Sequence, residues 1–176
     1  MKTIVITGST RGIGYGLADA FLARGCRVLI NGRKRESVDR ALQSLDHKHG
    51  NDRLIGQHGD ISTPEGNDTL WNAAVASFGT VDIWINNAGI AHPYVSVWEL
   101  PAATVRQVVD INLSGAIFGS QTAIRGMLQQ GFGHLYNMEG FGSNGRIGPG
   151  ISVYGATKSA VRFLSRSLAR ETQGTA

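Results

Sequence analysis

Apolar and polar positions along this chain fall into two alternating rhythms. Short β-branched runs at residues 3–7 (TIVIT), 27–31 (RVLIN), 54–58 (LIGQH), 81–86 (VDIWIN) and 134–138 (HLYNM) read as strands, the second to fourth largely apolar. Largely apolar strands suit a parallel sheet, because helices cover both of its faces. Between them apolar residues recur at helical spacing. Residues 13–24 carry Leu17, Phe21 and Leu22 on one stripe and stop at Gly25. A second helix is predicted over 36–45. A third opens at Thr63-Pro64-Glu65, a capping hydroxyl followed by proline in the first turn. Longer helical stretches follow at about residues 102–129 and 152–172. There is no internal repeat, low-complexity tract or linker. The alternation predicts a single doubly wound α/β domain over residues 1–176, with a parallel sheet and right-handed crossovers.

Composition narrows the class. A length of 176 residues can bury one core, and 41% hydrophobic with 17% charged residues is ordinary for a globular protein. The 24 glycines sit between apolar runs and therefore read as turns. The net charge of +4 comes from scattered residues without interleaved aromatics, which argues against nucleic acid. A phosphate-bearing small ligand is the simpler use for a few of them. The single cysteine, Cys26, excludes an intrachain disulfide and suits a reducing compartment. The opening MKTIVITG is too short an apolar run for a signal peptide or membrane span, so a cytoplasmic location is expected. No metal is expected, since only His47 and His49 lie close together, in a polar loop. Trp71, Trp84 and Trp98 read as core or interface residues.

The first strand leads through Thr7-Gly8-Ser9-Thr10-Arg11-Gly12-Ile13-Gly14 into the first helix. Glycines at 8, 12 and 14 serve a tight turn, close approach of backbone to a pyrophosphate, and helix–strand packing. The exposed N–H groups and the helix dipole favour an anion, so Gly8, Ser9, Thr10, Arg11, Gly12, Ile13 and Gly14 are expected at a cofactor. After the second strand an NAD enzyme usually places an acid against the ribose 2′-hydroxyl. Here Asn31 and Gly32 are followed by Arg33, which can grip a 2′-phosphate, and Arg11 offers a second cation. Both point to NADP(H); Lys34 and Arg35 read as a solvated turn.

The GxxxGxG spacing resembles the loop of the short-chain dehydrogenase/reductase family, TGxxxGxG. Further motifs agree in order and interval: Asn86-Asn87-Ala88-Gly89, Asn112 in DINLSG, and Tyr154-x-x-x-Lys158. The resemblance implies that Asp60 and Ile61 meet the adenine, and that Asn87, Ala88 and Gly89 line the cofactor site. Tyr154 would exchange a proton with a small-molecule carbonyl or alcohol, and Lys158 would stabilise its phenolate and hold the nicotinamide ribose. A free phenol, with pKa ~10, is a poor acid at neutral pH, which is why a cation four residues on matters. The family asparagine matched by Asn112 holds a water that resupplies the proton.

One family element is missing. The usual serine lies thirteen residues before the tyrosine, where this chain has Phe141, and aligning Asn137 puts Glu139-Gly140 in place of the usual serine pair. Ser143, in a glycine-rich turn, is the candidate replacement; the alternative is a turn serine bonded to its own backbone. Glu139 competes, but an ionised carboxylate has no proton to donate. His92 and Tyr94 are candidates for the substrate side. NMEGFGSNG with YGATK, and ITGSTRGIGYGLA with VDIWINNAG upstream, look like plant chlorophyll(ide) b reductases and their bacterial relatives. Those enzymes reduce a ring formyl group with NADPH.

The resemblance also implies C-terminal strands and a substrate lid that these residues lack, and hence weak activity of this stretch alone. It implies a homodimer or homotetramer built on helices carrying Val105, Val108, Ile117, Val161, Phe163 and Leu164. Two functional readings follow: an NADPH-dependent carbonyl reductase, or a nucleotide-binding module that has lost catalysis.

Overall fold

Every residue of the first strand, Thr3–Ile6 (β1), is buried, which requires cover on both faces of the sheet. The computed structural model describes residues 1–175 and surrounds β1 with four further strands. These are β2 (Arg27–Gly32), β3 (Leu54–His58), β4 (Ile83–Asn86) and β5 (His134–Asn137). They lie in the order β3-β2-β1-β4-β5, and every pair is parallel. The helices are α1 (Gly12–Ala23), α2 (Arg35–His49), α3 (Pro64–Phe78), α4 (Ala102–Val109), α5 (Gly115–Gln130) and α6 (Ser152–Glu171). This is the doubly wound Rossmann architecture that the alternation predicts.

The two-residue period of β1 divides the core. Ile4 and Ile6 face α1 and α2, meeting Leu22, Val38 and Leu45. Val5 faces the other side with Leu70 of α3 and Ala123 and Met127 of α5. Trp84 fills the same layer, fully buried, with the Trp71 ring centroid 6.3 Å away. Trp71 in turn lies so close to Gly126 on α5 that a Cβ there would run into the indole. The third helix starts as the sequence suggests: Thr63 Oγ1 accepts the Gly66 N–H at 3.1 Å and proline occupies the first turn.

Several boundaries differ from the pattern. β1 and β5 end one residue early, β4 starts at Ile83, and α2 runs on to His49. The larger difference lies in residues 102–129, which do not form one regular helix. A π-helical turn, Asp110–Ser114, joins α4 to α5 without breaking the rod. One extra residue in a turn leaves the apolar stripe on both sides intact, so periodicity does not reveal it. A short 3₁₀ turn, Val97–Glu99, is closed by a capping box of Ser96 and Glu99 and leaves Trp98 largely exposed. Among the described residues no helix is long and apolar enough to cross a membrane, and no group of side chains could hold a metal ion.

Candidate active site

Parallel pairing brings the C-terminal ends of β1, β2 and β4 to one rim, and the strand order reverses between β1 and β4. A crevice opens at such a reversal. The loop after β1 and the Asn86–Gly89 segment after β4 are sewn together there. Thr7 Oγ1 accepts N–H bonds from Asn87 (3.0 Å) and Ala88 (3.1 Å). Asn87 Nδ2 donates to the carbonyls of Thr7 (2.9 Å) and Gly8 (3.1 Å). Gly8 takes φ 61°, and a Cβ on it would lie 2.8 Å from Ala88 Cα, so no other residue fits the turn.

Ser9 departs from expectation. It is fully buried and absent from the cleft lining; its hydroxyl donates to Ile6 O (2.6 Å) and accepts from Asn31 N (2.8 Å). The strand end is thus tied by a side chain that the glycine-loop pattern assigns to the cofactor. Asn31 extends the tie: its Oδ1 accepts Gly8 N–H (3.2 Å), and its Nδ2 donates to Gln57 O (3.1 Å) and Gly59 O (3.2 Å).

The cleft has a volume of ≈ 530 Å³. Gly8, Thr10, Arg11, Gly12, Ile13 and Gly14 line one end, with Arg33 beside them. Both arginines are exposed, and no acid stands in the first turn of α1. Two cations and a helix N-terminus therefore face the same space, which suits a multiply charged phosphate ligand. Lys34 and Arg35 stay outside; Arg35 opens α2 and reaches His58 at 3.3 Å. Asp60, Ile61, Asn87, Ala88 and Gly89 line the middle. Asp60 Oδ1 accepts from Ser62 N (3.0 Å) and Oγ (2.6 Å), which fixes the carboxylate at the rim.

Tyr154 and Lys158 stand at the far end, one turn apart on α6. Lys158 is 4% exposed. Its Nζ donates to Met138 O (2.9 Å) and lies 5.9 Å from the Tyr154 ring centroid. Burial pushes the ammonium below its ordinary pKa of 10.5. Asn112 sits on the π turn, buried behind the cleft wall and not lining it. Its Oδ1 accepts Ile90 N–H (2.8 Å), and its Nδ2 donates to Ile90 O (2.9 Å) and Thr157 Oγ1 (3.2 Å). The amide thereby fastens the segment after β4 to α6.

Ser143 does not join Tyr154 in the cleft. It lines a separate groove with Ser159 and Arg162, and its hydroxyl donates to Gly140 O at 2.6 Å. The turn brings the backbone carbonyl three residues back within reach, so the serine serves the turn. His92 and Tyr94 are also absent from the lining: His92 is buried with Nδ1 on Pro93 O (2.7 Å), and Tyr94 is 70% exposed.

Residues 2–176 match the short chain dehydrogenase family. The chain belongs to the short-chain dehydrogenase/reductase family. It is 36% identical to the probable chlorophyll(ide) b reductase NYC1 of Arabidopsis thaliana, covering 99% of this chain and 38% of that protein. It is 40% identical to the chlorophyll(ide) b reductase NOL of the same plant, covering 97% of this chain and 49% of that protein. The chain thus spans about half or less of these curated relatives. Among solved structures, a closed serine dehydrogenase complexed with NADP+ superposes with a TM-score of 0.88. The two share 26% identity, over 98% of this chain and 67% of that one.

As a short-chain dehydrogenase/reductase the chain has cleft residues that its motifs do not mark. Gln107, Ile111 and Met138 line the end that holds Tyr154, beside Glu139, which the sequence raised only as a rival to Ser143. Gln107 and Ile111 stand four apart, one helical face leading into Asn112, so helical spacing alone could have pointed to them. Met138 was hidden because its contribution is a backbone carbonyl, which no side-chain pattern records.

Proposed function

We propose that this chain is the cofactor-binding and catalytic part of an NADPH-dependent carbonyl reductase. The observation that carries the reading is the shared cleft. A glycine loop carrying Arg11, with Arg33 beside it, lines one end, and Tyr154 and Lys158 meet at the other. The residues present fit NADP(H): the loop N–H groups and α1 for the pyrophosphate, Arg33 and Arg11 for the 2′-phosphate, Asp60 and Ile61 for the adenine. Support comes from the NADP+ in the similar serine dehydrogenase structure. When bound, the nicotinamide supplies the hydride.

The chain's own part is the proton. Tyr154 Oη donates it to the carbonyl oxygen as negative charge develops there. Lys158, held by Met138 O, keeps a positive charge beside the resulting phenolate. Asn112 holds the wall that places both. Similarity to the chlorophyll(ide) b reductases makes a ring formyl group the first substrate to try. A second reading, an NADP-binding module with weak catalysis, is favoured by one observation: Ser143 is spent on the backbone.

NADPH oxidation by the purified protein with a panel of aldehydes and ketones, chlorophyllide b included, separates the readings. Turnover that falls about 10²–10⁴-fold in Tyr154→Phe, with NADPH affinity kept, is the expected result. Tight NADPH binding without turnover on any carbonyl would leave the binding module.

A further inference from the structure

Behind Tyr154 the chain after β5 is pinned to α6 at three points and locked on itself at a fourth. Lys158 Nζ holds Met138 O at 2.9 Å. Ser143 gives both its N–H (3.1 Å) and its hydroxyl (2.6 Å) to Gly140 O. Gly142, at φ 99°, lies against Gly155, where a Cβ would come within 2.6 Å of the Gly155 Cα. Ser159 Oγ closes the set by donating to Gly142 O at 2.6 Å. The α6 partners, 155, 158 and 159, directly follow Tyr154.

The segment so held touches the acid itself. A Cβ on Gly140 would lie 2.5 Å from Tyr154 Oη, 3.3 Å from Cζ and 3.4 Å from Lys158 Cγ. The backbone of residue 140 is therefore the surface on which the phenol rests. A phenol ring is rigid, so a side chain at 140 could be admitted only by moving the hydroxyl from its place. Of the hydroxyl-bearing side chains lining the cleft, Thr10 belongs to the glycine loop, which leaves Tyr154 alone at the reacting end.

We propose that Ser143 is a positioning residue that acts on Tyr154 through Gly140, and that Gly140 sets the place of the Tyr154 hydroxyl by having no side chain. Ser143 locks the Gly140 peptide, and that peptide holds the phenol. The carbonyl substrate then meets one protein hydroxyl at this end, not two. The proposal rests on the carbonyl-reductase reading for its kinetic consequences, but its geometry stands without turnover.

The test uses Ser143→Ala, Ser143→Thr, Gly140→Ala and Gly140→Ser in the whole protein, with kcat and NADPH affinity measured separately. Fluorine NMR of 3-fluorotyrosine at position 154 is recorded on the same variants without substrate. Ser143→Ala should lower kcat about 3–10-fold at unchanged NADPH affinity, less than the 10²–10³-fold expected on removing a donor to the reacting oxygen. It should also shift or broaden the fluorine resonance, and Ser143→Thr should restore both signals. Gly140→Ala and Gly140→Ser should each cost about 10²-fold or more in kcat. The proposal is overturned if Gly140→Ser matches or exceeds the parent. It also fails if Ser143→Ala loses more than about 10²-fold with an unmoved resonance, which makes Ser143 the donor. A parent that turns over no carbonyl sinks the reductase reading, and the fluorine spectra alone then decide whether Ser143 holds Tyr154.

Discussion

Lys158 is buried as a cation, so its charge opposes folding while it supports chemistry. Its folded pKa lies below the ordinary value of 10.5, because burial strips water from the ammonium. Protonated Lys158 therefore costs stability below its folded pKa, and that cost disappears as pH rises towards 10.5. Loss of the same charge removes the support for the Tyr154 phenolate. The alkaline limb of kcat/KM should therefore begin below the ordinary lysine range, and Lys158→Arg, which stays charged, should move it upward. Lys158→Met should keep or raise Tm while lowering kcat about 10²–10⁴-fold, read by thermal melts and initial rates. The family resemblance singled out Tyr154, Lys158 and Asp60 and the end of the second strand singled out Arg33, and all four line one cleft. Ser9, Asn112 and Ser143 stood out as candidates, but their bonding partners did not. A hydroxyl or amide serves backbone or ligand equally well, and only the carbonyls brought near it by folding decide which.

At the scale of elements, the five strands and the regular helices follow from apolar rhythm, because each rhythm must bury one face. The same logic hides the π turn between α4 and α5, since it puts Asn112 against Ile90 and Thr157 without altering the stripe on either side. The glycine-rich stretch after β5 is equally silent, for what it offers its neighbours are backbone carbonyls and bare Cα atoms. Packing between α3 and α5 offers a direct check. Gly126 leaves room for the Trp71 ring, so Gly126→Ala should destabilise by about 1–3 kcal/mol through overpacking despite the better helix former. Urea denaturation measures it. A gain in stability would mean that the two helices separate more easily than this packing implies.

Over the whole molecule, alternation of strand and helix made the doubly wound topology readable, and the reversal between β1 and β4 set where the cleft had to open. Charge adds a long-range part. With a net charge of +4 and Arg11 and Arg33 lining one end of the cleft, the field favours a polyanion approaching from solution. NADPH affinity should fall as salt rises. Arg33→Ala should weaken NADPH about 10–100-fold while leaving NADH nearly unchanged, as titration with each cofactor would show. Equal losses for both would place Arg33 on the pyrophosphate. The tie around Asn31 limits where an acid can enter this end of the cleft. Its amide nitrogen donates to two carbonyls and its oxygen takes the Gly8 N–H, so a carboxylate at 31 would face two carbonyl oxygens with no proton to offer. The acid that accompanies NAD cannot arise there without unpicking three strand ends. A change of charge that leaves this tie intact falls instead to the exposed position 33, where a new side chain meets the cleft and not the sheet.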